Sequence, residues 1–234
     1  MVSALIDLPD WRLLSSSCLP CLDGVHAVEA DYCSYPVVSE DLSRLGVEAP
    51  ENFARMVARR RSEFLAGRLC AQEALTQAGA PARLQASCKS ERAPVWPCGW
   101  IGSISHSDGR AVAVVAPEEN GRRLGVDTER LLDSALAANL ADTLLCAADR
   151  VDPELPFATA LTIAFSAKES LFKALYPDVR RFFGFDAAAV VFSCAGHCQL
   201  QLREDLCERW RRGALIPVHW VLNSDRVYTL VDVD

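Results

Sequence analysis

The sequence predicts an α+β chain of two similar lobes, each a long helix packed on a small, mostly antiparallel sheet. Three observations lead there. The chain has 234 residues, half of them apolar and 24% charged, which suffices for one large core or two small ones. Its segments run helix, hairpin, strand, helix, strands, so each half offers one long helix and several strands. The turn "PEENGR" at 117–122 separates the halves, which places an N-terminal lobe over 1–118 and a C-terminal lobe over 119–234.

Residues 1–48 read as irregular, with short apolar runs such as "HAVEADY". The stretch 49–80 then reads as one helix. Pro50 lies near its start, Phe64, Leu65, Leu69 and Leu75 make an apolar face, and Gly79 is a stop signal. "APVWPCGW" is a loop. "WIGSISHSDGRAVAVVA" is a hairpin turning at Asp-Gly, and "RLGVDTERL" is a further strand. Residues 131–150 read as helical. Residues 161–176 form a second long helix whose pattern extends back through "FATALTI", with Pro177 as its stop. "AAVVFSC", "CQLQLRED", "PVHWVLN" and "RVYTLVDV" are strands, the last two joined at "NSDR".

Composition excludes several classes. No run approaches the ~18 to 20 apolar residues of a membrane span, and "MVSALIDLPDWRLL" carries acids where a signal peptide is basic. A cytoplasmic protein with no membrane partner is expected. A net charge of −7 disfavours nucleic acid. Arginine clusters at 59–61, 122–123, 180–181 and 209–212 suit phosphate groups or an acidic partner. Ten cysteines include "CLPC" and "SCAGHC", but neither completes a zinc set, so the thiols read as small buried hydrophobes. Two lobes in one chain suggest a monomer.

The chemistry concentrates in three segments. On a strand, Asp127 and Glu129 of "GVDTE" point to one face, and two adjacent carboxylates repel unless solvent or a cation neutralises them. On an edge strand the same pair reads otherwise as an exposed polar face. Mg²⁺ would suit it, and Glu169 would be the third ligand if helix and strand meet. In "AFSAKESLFKALY", Glu169 and Lys173 lie one helical turn apart, which reads either as a surface ion pair or as part of that site. Ser105 and His106 end a strand just before the hairpin turn, where a hydroxyl and an imidazole grip phosphate well. They fall on opposite strand faces, which argues against a hydrolase dyad.

"VWP…IGSISH", "GVDTE" and "FSAKESLFK", in that order, resemble the Sfp-type phosphopantetheinyl transferases. The helix segment "RRSEFLAGR" is similar to the group around enterobactin synthase component D, and the resemblance runs from about Arg59 to Phe185. It implies two lobes related by a pseudo-two-fold axis, forming one catalytic unit with the site between them. It implies Mg²⁺, with Mn²⁺ as an alternative, held by Asp127, Glu129 and Glu169. Glu169 would also be the base for the carrier serine, directly or through water, and Lys173 would contact the coenzyme A phosphate and serve the leaving group. Ser105, His106, Arg60, Arg68, Lys89 and Arg92 would hold the nucleotide end of coenzyme A, and Phe183 would line the pantetheine channel.

The implied reaction moves 4′-phosphopantetheine from coenzyme A to a serine of an apo acyl or peptidyl carrier protein, releasing adenosine 3′,5′-bisphosphate. Fatty-acid, polyketide, siderophore and lysine-biosynthetic carriers are all compatible. The alternatives are another Mg²⁺-dependent phosphoryl enzyme such as a phosphohydrolase, or a non-catalytic relative that binds coenzyme A or a carrier. The product separates them.

Overall fold

The computed structural model of the protein describes residues 11–14, 17–81, 86, 93–119, 121–194 and 196–234. The chain divides into two compact units, one of Met1–Ser17 with Asp23–Pro117 and one of Cys18–Leu22 with Glu118–Asp234. Each is a mixed unit of long helix and antiparallel sheet.

The first unit contains β1 (Trp11–Leu13), β2 (His26–Tyr32), α1 (Ser39–Arg44), α2 (Ala58–Gln77), β3 (Trp100–Ser107) and β4 (Arg110–Pro117). Its strands lie in the order β1-β2-β4-β3, and every pairing is antiparallel. The β3–β4 hairpin turns at Asp108 and Gly109, both at positive φ (41° and 79°), the left-handed pair that a tight two-residue turn demands. Helix α2 packs across β2, β3 and β4 and buries Ala66, Cys70, Ala71, Ala74 and Leu75 against Val28, Ala30, Ala113 and Val115.

Two sequence expectations change here. The segment before residue 48 is not irregular, because β2 pairs with β4 along its length. Its two acids hide a strand from propensity. Glu29 is 1% exposed and is matched by Arg110 at 3.1 Å and Ser17 at 2.8 Å, and Asp31 is matched by Arg110 at 2.8 Å. The long helix begins at Ala58 rather than near Pro50. Met56 and Val57 are extended (ψ 140° and 155°) after a 3₁₀ turn at Phe53–Arg55. Arg61 donates to the carbonyls of Met56, Val37 and Ala54, while Phe53 packs on Leu65 and Leu69, so the chain folds back instead of continuing the helix.

The second unit contains β5 (Arg123–Arg130), α3 (Ser134–Leu144), α4 (Phe157–Val179), β6 (Ala188–Cys194), β7 (His197–Leu202), β8 (Leu215–Asn223) and β9 (Arg226–Val233). The strands lie in the order β5-β9-β8-β7-β6, again antiparallel throughout. Helix α3 is shorter than the 131–150 expected. Asp133 caps its start by accepting from the Leu136 amide at 2.8 Å, and beyond its end Asp149 accepts from the Cys146 amide at 2.7 Å.

Pro177 does not stop α4. It sits in the last turn, where only the hydrogen bond to the Lys173 carbonyl is forgone, and the helix ends two residues later at Val179, capped by Arg180 in the left-handed region (φ 53°). Asp178 ties that end down, accepting from Arg123, from Arg209 at 3.2 Å and from the Trp210 indole at 2.9 Å. Helix α4 packs on β5, β9 and β8 over a core that includes Ala167, Leu171, Val218, Val227 and Val231.

The described cysteines are all free thiols. Cys70 and Cys198 are buried, and burial pushes the Cys198 thiol up to about 12. No described helix is long and apolar enough to cross a membrane.

Candidate active site

The site of the second unit starts from a glycine. An added Cβ at Gly125 would lie 1.9 Å from the Ser170 carbonyl oxygen and 2.7 Å from the Ala174 amide nitrogen. Only a residue without a side chain lets β5 lie directly on the backbone of α4. That approach presses the residue two positions along, Asp127, against the same helix.

Asp127 is 2% exposed, and both its oxygens are engaged by α4. Lys173 donates to Oδ1 at 2.7 Å and to the Val126 carbonyl at 3.0 Å, and Ser166 donates to Oδ2 at 2.7 Å. Ser166 is itself backed by Thr229, whose hydroxyl lies 2.9 Å away, and Thr229 by Ser170 at 2.6 Å. The expectation of an exposed polar face at β5 is therefore corrected for Asp127. Although β5 is the edge of its sheet, α4 covers that face.

Glu169 stands one turn before Lys173. Burial pushes its carboxyl above the ordinary range, the charge of Asp127 pushes the same way, and the Lys173 ammonium offsets part of this. Two carboxylates are thus close enough to feel each other, and one ammonium acts on both. The other lysine of the segment has a different task. Lys168 is 3% exposed and donates to Asp149 at 2.8 Å and to the Leu144 carbonyl at 3.0 Å, locking the end of α3 to α4.

Among the described residues, no three His, Cys, Asp or Glu side chains converge closely enough to hold a metal ion. The donor chemistry nevertheless fits a hard divalent cation. Asp127 and Glu169 offer oxygen ligands whose mutual repulsion a cation relieves, and strand alternation puts Glu129 on the same face as Asp127.

A second group gathers in the first unit. Arg60 Nη1 lies 2.8 Å from His106 Nε2 and 3.2 Å from Glu63 Oε2. A guanidinium only donates, so Nε2 accepts and the ring proton belongs on Nδ1, which faces Glu63 Oε2 at 3.7 Å. Burial alone would raise the Glu63 carboxyl, but Arg59, His106 and Arg60 together hold it below its usual range. The result is an arginine and a histidine held in place by one ionised carboxylate, a grip suited to phosphate. Ser105 is 5% exposed and alternates to the face opposite His106. The Arg68 guanidinium lies over the Phe64 ring, 5.2 Å from its centre.

Lys89 and Arg92 lie outside the described residues. Phe183 is 7% exposed and packs on Phe172 with ring centres 5.0 Å apart, whereas its neighbour Phe182 is 69% exposed. Sequence reasoning missed Glu63, Ser166, Ser170 and Thr229. Glu63 had a signal, standing three and four residues after two arginines on a helix. The three hydroxyl residues had none, because Ser and Thr within helices and strands are ordinary.

The profile of the 4′-phosphopantetheinyl transferase N-terminal domain matches residues 49–116, and that of the 4′-phosphopantetheinyl transferase superfamily matches residues 123–231. The chain is similar to enterobactin synthase component D of Salmonella typhi, 35% identical over 176 residues, which is 74% of this chain and 72% of that protein. A 4′-phosphopantetheinyl transferase of Mycobacterium tuberculosis is 38% identical over 155 residues, 64% of this chain and 66% of that one. One from Nocardia iowensis is 34% identical over 169 residues, 70% and 71% of the two chains.

Proposed function

The chain belongs to the 4′-phosphopantetheinyl transferase superfamily, and from that premise we propose how its residues divide the work. It transfers 4′-phosphopantetheine from coenzyme A to a serine of an apo carrier protein, releasing adenosine 3′,5′-bisphosphate. The observation that carries the site assignment is the meeting of Asp127, Glu169 and Lys173 on the β5–α4 contact.

Asp127, Glu129 and Glu169 would hold a divalent cation, Mg²⁺ or Mn²⁺. When bound, it supplies electrostatic stabilisation to a pyrophosphate whose β-phosphorus is attacked. The chain's own groups do the rest. Glu169 accepts the proton of the incoming serine hydroxyl, directly or through one water, and its raised pKa brings it nearer the range where a carboxylate serves as base. Lys173 supplies a positive charge to the departing bisphosphate. Arg60, Arg68, Ser105 and His106, with Lys89 and Arg92, bind the nucleotide end, remote from the reacting phosphorus. Phe183 would support the pantetheine channel from within the core. A siderophore carrier is one candidate acceptor, since several relatives are enterobactin synthase components.

The test incubates the full chain with coenzyme A, Mg²⁺ and a panel of apo acyl and peptidyl carriers, read by intact mass. A carrier heavier by one phosphopantetheine, with adenosine 3′,5′-bisphosphate in equal amount, is expected. Release of free phosphate with no modified carrier would overturn the reading.

A further inference from the structure

Asp127 has two oxygens and unequal claims on them. A carboxylate only accepts, so the single proton of Ser166 must point to Oδ2, 2.7 Å away. Thr229 then turns its own proton to Ser166, whose carbonyl and hydroxyl oxygens both lie at 2.9 Å. Ser170 completes the order by donating to Thr229, at 2.6 Å to the hydroxyl or 3.1 Å to the carbonyl. All three hydroxyl residues are 0% exposed. Oδ2 is thus pinned from inside the unit by a relay with one consistent direction, and no side chain in it is charged.

Oδ1 is different. Its partner is the Lys173 ammonium, and the lysine side chain is 25% exposed while that of Asp127 is 3% exposed. The group that engages Oδ1 therefore reaches solvent, whereas Ser166 on Oδ2 does not. Two positive charges on one oxygen in a partly desolvated site repel strongly.

Resting on the metal-site reading above, we propose that Lys173 and the divalent cation exchange at a single oxygen, Asp127 Oδ1, while the Ser166–Thr229–Ser170 relay holds Oδ2 in place. Lys173 is then a placeholder that preserves the carboxylate geometry. Arrival of the cation frees the ammonium for the anionic donor, so loading and lysine availability are coupled.

The test measures Mn²⁺ binding to the full chain by calorimetry, without coenzyme A, for wild type, Lys173→Met and Lys173→Gln. Thermal denaturation checks that each folds. Removing the competing ammonium should tighten Mn²⁺ binding about tenfold or more in both variants, a contrast of the size expected for a charge-assisted contact. Ser166→Ala should weaken binding several-fold, because an unpinned carboxylate must be reordered. Unchanged or weaker Mn²⁺ binding in the folded lysine variants, with wild type binding normally, overturns the exchange and leaves the metal-site reading standing. No Mn²⁺ binding in wild type or any variant overturns both.

Discussion

At the scale of single residues, Glu169 and Lys173 are not a surface ion pair. Lys173 spends its charge on Asp127, and Glu169 is raised rather than lowered because burial and Asp127 outweigh the ammonium. Glu169→Gln keeps the shape while removing the proposed cation ligand and base. Transfer should fall by about 10²-fold or more, the range that general-base groups supply, with little change in unfolding temperature. Transfer within twofold of wild type would remove Glu169 from the chemistry. On the proposed assignment, His106 acts on a part of the donor remote from the reaction. His106→Ala should raise KM for coenzyme A more than it lowers kcat, since uniformly expressed binding is what is lost. A fall in kcat with KM unchanged would place His106 elsewhere in the reaction.

At the scale of elements, the β5–α4 contact sets the site. Gly125→Ala drives a methyl into the Ser170 carbonyl, so strand and helix must separate. The expected cost is about 1–3 kcal/mol, as for overpacking elsewhere, with a loss of transfer beyond what stability explains. A variant as active and stable as wild type would show that the two elements approach less closely. Asp178 anchors the far end of α4, and its pKa reports that role. Burial would raise it, but Arg123, Trp210 and Arg209 together lower it below 3.8. A carboxyl depressed on folding contributes stability above its unfolded pKa, and the contribution fades as pH falls through the folded value. Asp178→Asn should therefore lower stability by about 1–3 kcal/mol at pH 7. The gap from wild type should narrow below pH 3.8, the reference value for this group. Denaturant melts at several pH values check this, and a gap constant with pH would argue against the ionised anchor.

At the scale of the whole molecule, two units each carry their own helix, sheet and core, and each holds one cluster of candidate functional groups. The clusters differ in kind. One is a carboxylate-and-ammonium centre on β5 and α4; the other is an arginine–histidine grip on α2 and β3. The buried Asp127 needs no cation to be satisfied, since Lys173 and Ser166 already engage it. Chelation with EDTA should therefore stop transfer and leave the melting temperature within a degree or two, and added Mg²⁺ should restore the rate. Undiminished transfer in EDTA would eliminate the cation from the reaction.

Most elements were legible in the sequence because they rest on local periodicity. The Asp-Gly hairpin, the long second helix and the four last strands follow from patterns a few residues long. The same periodicity sets Glu169 one turn from Lys173, and Asp127 beside Glu129 on one strand face. The ordered motifs alone were enough to mark the family. Elements failed to show where a distant partner overrode propensity: β2, whose acids are neutralised by Arg110, and the start of α2, where Arg61 turns the chain back. The partner of each functional charge was also a matter for the tertiary structure. Ser166 meets Asp127 across 39 positions, Arg60 meets His106 across 46, and Ser166 meets Thr229 across 63. No pattern of period 2 or 3.6 encodes such pairs. They exist because α4 lies on β5 at Gly125 and α2 lies on β3, and that packing decided that Lys173 answers to Asp127 rather than to Glu169.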